Sequence, residues 1–151
     1  MRREDKIRRL MYLLNTKNRT SLILITQNLS NKISGYEVLL KPFPYLIIDF
    51  NEINDRELEK YLQEISSLKY QIILFHNIDK ITLGGDKEYW ESIITIALKQ
   101  ENYPIEVQDK EGYFKKFELP FQDLKIITTC SKYPEFLKDK GILGEIIDFR
   151  K

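Results

Sequence analysis

The run IILFHN at 72–77 closes an apolar stretch on two polar side chains, His76 and Asn77, where a buried strand would deliver them to the rim of a sheet. A neutral imidazole can take a proton or bind a soft metal, whereas a side-chain amide can only exchange hydrogen bonds. A carboxylate pair in the same place would hold hydrated magnesium and polarise an attacking water; His76 and Asn77 do neither. His76 is the only histidine and Cys130 the only cysteine, so no second soft ligand completes a metal site, and none is expected. Asp49 and Asp79 could pair as carboxylates, which leaves open a hydrolase built on Asp49, His76 and Asp79. Asp79 reads equally well as a helix cap or a loop residue.

The elements that would position these residues follow from apolar spacing. Ile7, Leu10, Met11 and Leu14 mark an amphipathic helix over 4–15. Apolar strands are expected at 21–25, 45–50, 71–75, 125–129 and 145–149. A short helix through Ile33, Tyr36 and Leu40 ends at Pro42 and Pro44. Asn54, with Glu57 three residues on, caps a helix whose inner face is Leu58, Tyr61, Leu62, Ile65 and Leu68. Asp86 caps another, with Trp90, Ile93, Ile94, Ala97 and Leu98 as its core stripe. The segment IEVQDKEGYFKKFEL at 105–119 has two extended runs around a turn at 109–112, a β-hairpin signal. A short helix follows Pro134. Buried strands alternating with helices predict a three-layer α/β fold around a mainly parallel sheet, one domain over 1–151.

Bulk properties narrow the classes. A net charge of +1 gives no global attraction to nucleic acid or membrane. A single cysteine excludes an intramolecular disulfide and fits a reducing compartment. No apolar run approaches the roughly 20 residues of a membrane span, and the first ten residues are charged where a secretory leader is apolar. A cytoplasmic location is the expectation.

The order and spacing of these segments resemble the AAA+ ATPase core. In that resemblance the strand at 22–25 leads into the nucleotide loop, 72–77 is the Walker B strand and 125–130 the sensor 1 strand. A closer likeness is to RuvB-type branch-migration motors, in which a helix, a β-hairpin, a Leu-Pro-Pro-Phe type turn and a strand ending in Thr-Thr follow Walker B. Here the Trp90 helix, the hairpin, LPFQDL at 119–124 and Thr128-Thr129 stand in that order. The resemblance implies a five-stranded sheet in the order 5-1-4-3-2 with an inserted hairpin. It also marks departures. A phosphate loop needs Gly-x-x-x-x-Gly-Lys-Ser/Thr, and the matching stretch TQNLSNKI at 26–33 keeps only Lys32, with Ser34 as a displaced hydroxyl. The arginine-finger region, GILGEII at 141–147, has no arginine. The residues end at Lys151, where family members continue into a helical lid, so the lid is expected to be absent.

The reading is therefore a hydrolysis-deficient AAA+-like domain, with degenerate Walker motifs, that acts as a binding or assembly module in DNA replication or recombination. No catalytic residue and no cofactor are expected; if ATP binds at all, Lys32 and Thr129 would contact it. The partner is expected to be a protein, an active ATPase subunit or a DNA-processing factor, and nucleic acid is the alternative. Tyr113, Phe114, Lys115 and Lys116 on the hairpin are the expected contact, since cations mixed with aromatics can stack on bases or dock on protein. Against this, Tyr113, Phe117 and Leu119 share one face and could simply cover the core. Two further readings stay open: an NTPase or hydrolase with a non-standard site, and a nucleic-acid binder acting through the hairpin.

Overall fold

The computed structural model describes residues 2–16, 20–26, 33–54, 57–81, 85–109, 111–142 and 144–150. In chain order its elements are α1 (Arg3–Asn15), β1 (Ser21–Ile25), α2 (Ile33–Leu40), β2 (Tyr45–Asp49), α3 (Leu58–Ser66), β3 (Ile72–His76), α4 (Lys87–Leu98), β4 (Tyr103–Gln108), β5 (Phe114–Leu119), β6 (Lys125–Cys130) and β7 (Glu145–Asp148). β1, β2, β3, β6 and β7 form one parallel sheet in the order β2-β3-β6-β1-β7, while β4 and β5 form a separate antiparallel hairpin. Counting only the strands of the large sheet, this is the order 5-1-4-3-2.

Alternation along the strands makes the three layers. Leu22 and Leu24 of β1, Ile72 and Leu74 of β3 and Ile127 of β6 face α1 and α2, packing on Leu10, Leu14 and Leu40. Their neighbours Ile23, Ile73, Phe75 and Ile126 face the other way, onto α3, α4 and the hairpin, through Leu62, Ile65, Ile93 and Leu119. Each buried aliphatic side chain contributes about 1.5–3 kcal/mol relative to exposure, so these two apolar layers hold the fold. Lys125, at the start of β6, sends its ammonium to the carbonyls of Leu13, Leu14 and Thr16 at 2.6–2.9 Å, which satisfies the open end of α1. Burial lowers its pKa.

Local expectations fail where tertiary geometry overrides spacing. α3 ends at Ser66, and Leu68 takes a left-handed backbone with φ 64° and stands 75% exposed rather than on the inner face. Asp86 takes the N-cap position of α4 without a side-chain cap bond, its carbonyl accepting from the Trp90 amide. Glu57 reaches back to the Asn54 amide at 3.1 Å, one half of the expected capping box. The helix after Pro134 is a single 3₁₀ turn, Glu135–Leu137. No helix among the described residues is long and apolar enough to cross a membrane.

Candidate functional site

The parallel sheet brings the carboxyl ends of β1, β3 and β6 side by side, the usual working edge of an open α/β sheet. There His76, Asn77, Thr26, Thr128 and Thr129 are all buried polar residues. Thr129 connects two of them. Its hydroxyl accepts the Asn77 backbone N–H at 2.8 Å and lies 2.8 Å from Nδ1 of His76. A hydroxyl accepts two hydrogen bonds and donates one, so the Thr129 oxygen takes the Asn77 N–H and can still either donate to Nδ1 or accept from it, according to the imidazole tautomer. Nδ1 is engaged by the hydroxyl, and His76 is 1% exposed. The edge of Tyr36, from α2, packs on it with ring centroids 5.4 Å apart.

Asn77 sits at φ 59° and ψ 55°, the left-handed conformation that Asn tolerates better than most residues. That turn carries the chain into a 3₁₀ turn, Ile78–Lys80, and brings Asp79 to the end of β6. Asp79 Oδ2 accepts from both the backbone N–H and the hydroxyl of Ser131, while Oδ1 is buried with no hydrogen-bond partner among the described residues. Asp49, by contrast, accepts from the Asn51 amide at 3.0 Å. The two carboxylates are thus committed to different strand ends. Asp79 and burial act together on the adjacent Cys130 thiol: burial first, then the carboxylate charge, push it up to about 12. Burial likewise pushes the Tyr36 phenol up to about 12. The Thr26 hydroxyl lies near enough to offset this in part, yet makes no bond of hydrogen-bond geometry among the described residues, and Thr26 is 6% exposed.

Lys32 and the rest of the loop at 27–32 lie outside the described residues, as do Gly84 and Lys110. Thr129 is fully buried in the hydroxyl bridge just described. No group of three or more His, Cys, Asp or Glu side chains among the described residues could hold a metal ion.

The four hairpin residues separate. Tyr113 and Phe114 stand 72% and 66% exposed at the tip. Lys115 lies in the inward row with Phe117 and Leu119, and its ammonium pairs with Glu59 of α3 and lies 4.0 Å from Asp109. Phe117 packs against the core and Leu119 is within it, whereas Tyr113, on the same row, has passed beyond it. Lys116 is in the outward row, opposite Glu106. The turn is held by Asp109, whose side chain accepts from the amides of Glu111 and Tyr113 at 3.0 and 2.9 Å. Sequence reasoning missed the Thr129 bridge, the Asp79–Ser131 pair and the Lys115–Glu59 pair. The only sequence signal for the first was a threonine at the end of a predicted central strand.

No family model and no curated protein matches the chain. Among solved structures it is similar to a JCV helicase, in the crystal structure with bound N-(4-(2-(thiazolo[5,4-c]pyridin-2-yl)phenoxy)phenyl)acetamide. Identity is 14% with a TM-score of 0.49, covering 98% of this chain and 41% of that one. The chain spans less than half of that helicase, and a likeness at this level carries no functional argument.

Proposed function

We propose that this chain is a P-loop-type α/β domain of the AAA+ kind, nearest the RuvB-type motors, that does not hydrolyse nucleotide and works as a protein-binding or assembly module. The observation that carries the reading is the hairpin: two adjacent exposed aromatics, Tyr113 and Phe114, on a tip whose base is fixed in the core by Ile105, Val107 and Leu119. Exposed aromatics on a rigid support lose little entropy on docking, which favours a binding role. The non-hydrolytic half is supported by the Thr129 bridge. It engages Nδ1 of His76 and the Asn77 amide internally, at the two places where the family presents a metal-holding and a water-polarising carboxylate.

A protein partner, an active ATPase subunit or a DNA-processing factor, is favoured over nucleic acid. The outward row of the hairpin carries Glu106 and Glu118 beside Lys116, and Lys115 is drawn inward to Glu59. No continuous cationic track for a phosphate backbone results among the described residues. Magnesium-dependent phosphate release from ATP or GTP is expected to stay at the blank. The double change Tyr113→Ala and Phe114→Ala is expected to abolish co-purification of the native partner without lowering the melting temperature appreciably. Nucleotide turnover lost on Lys32→Ala, or a salt-sensitive gel shift with single-stranded DNA lost on Lys116→Ala, would replace this reading by an enzyme or a nucleic-acid binder respectively.

A further inference from the structure

We propose that the outer edge of β2, with the acidic groove that crosses it, accepts an extended, lysine- or arginine-bearing segment of a partner protein as an added strand. This surface is separate from the hairpin and goes beyond the reading above. Among the described residues β2 is the last strand of the sheet on its side and pairs only with β3. Ladder parity fixes which of its backbone groups are open. Pro44 O accepts from Gln71 and Ile72, and the Phe50 amide donates to His76 O, so even-numbered residues point to β3. Tyr45, Ile47 and Asp49 therefore turn their backbone outward. Asp49 O is used by the turn to Glu52 and Ile53. The amides of all three residues, and the carbonyls of Tyr45 and Ile47, have no partner strand among the described residues, and they repeat at roughly the 6.6 Å period an incoming strand would match.

The same three residues line a groove of about 480 Å³. Its walls come from both faces of the sheet, Glu37 of α2 on one side and Glu57 and Tyr61 at α3 on the other, so the groove straddles the strand edge. The charged side chains among its described lining residues are Glu37, Asp49, Glu52 and Glu57, all of one sign. Glu57 is shared with Lys60 at 3.7 Å and Asp49 with the Asn51 amide. The Tyr61 phenol registers the field: its pKa is raised by burial and then by Glu57, Asp49 and Glu52. An open strand edge gives main-chain bonds to any extended peptide, and the uniform negative charge selects a cationic one.

The probe is a fluorescent peptide of about eight residues alternating lysine and valine, followed by anisotropy with the intact chain. Saturable binding is expected, and Glu37→Gln with Glu52→Gln should weaken it about tenfold. The same peptide N-methylated through its centre keeps every charge but loses its backbone donors, and should not bind. Ile47→Pro removes an outward amide without touching the β3 ladder and should also abolish binding; circular dichroism checks that this variant is folded, and the Glu variant and methylated peptide decide if it is not. Equal binding of the methylated peptide, or no loss in the Glu variant, would overturn the proposal. So would self-association of the chain that the peptide competes away, because the occupant would then be a second copy.

Discussion

Thr129 shows how one side chain can decide what a strand end can do. Its hydroxyl satisfies a buried amide and a buried imidazole at once. Thr129→Val keeps the shape but removes both of these bonds, and should cost about 1–3 kcal/mol in urea unfolding, whereas Thr129→Ser should recover most of that. An unchanged midpoint for Thr129→Val would mean the bridge is not formed. The ionisable neighbours set a pH limit. The Cys130 thiol titrates near 9 when free and about 12 in the fold, and the Tyr36 phenol near 10 and about 12. Between those values the unfolded chain has lost protons that the folded chain still holds. The contribution of these two groups to stability is therefore full below about pH 9 and should fall as pH rises towards 12. A stability that rises over this window would contradict the sign. The polar ends of β3 and β6 were legible as residue types. Their wiring was not, because it joins positions far apart in sequence whose hydroxyl directions no local pattern fixes.

At the scale of elements, periodicity located the helices and strands well, and failed where a chain end is set by packing. The helical spacing that admits Leu68 to the inner face of α3 is real, but the helix stops two residues earlier and the chain turns left-handed there. In the hairpin, strand alternation alone could not say where the core ends along the inward row. The structure puts that limit at Phe117, with Lys115 saved for Glu59 and Tyr113 left outside. The two readings of the hairpin thus apply to different parts of it. Leu119→Ala, which empties a fully buried site, should cost about 2–5 kcal/mol. Phe114→Ala, at the exposed tip, should stay within about 0.5 kcal/mol. Parallel denaturant titrations of the two variants check this; a large loss from Phe114→Ala would return the tip to a structural role.

Across the molecule, the sheet order was expected from the resemblance of the segment order to the AAA+ core, and unknotted, right-handed crossovers are consistent with it. The placement of β7 beside β1 carries a requirement that no strand pattern reveals. Gly144, just before β7, has φ +114°, and a Cβ there would stand 2.2 Å from Ser21 O and 2.3 Å from its hydroxyl. Ser21 in turn donates that hydroxyl to Leu98 O, at the end of α4, at 3.0 Å. The close approach of Gly144 to Ser21 thus sits where β7, β1 and α4 converge. Ser21 is 1% exposed and cannot retreat without breaking its bond to α4. Gly144→Ala adds both a backbone conformation that an L side chain resists and an overlap with main-chain atoms, and should cost about 2–4 kcal/mol. Gly35, inside α2 with nothing within 4 Å of its Cβ position, is the control. Gly35→Ala should be neutral or stabilise by about 0.5–1 kcal/mol through helix propensity. Thermal and urea unfolding of the pair separate the two effects, and equal stability would mean that β7 does not need the close approach to hold its place on β1.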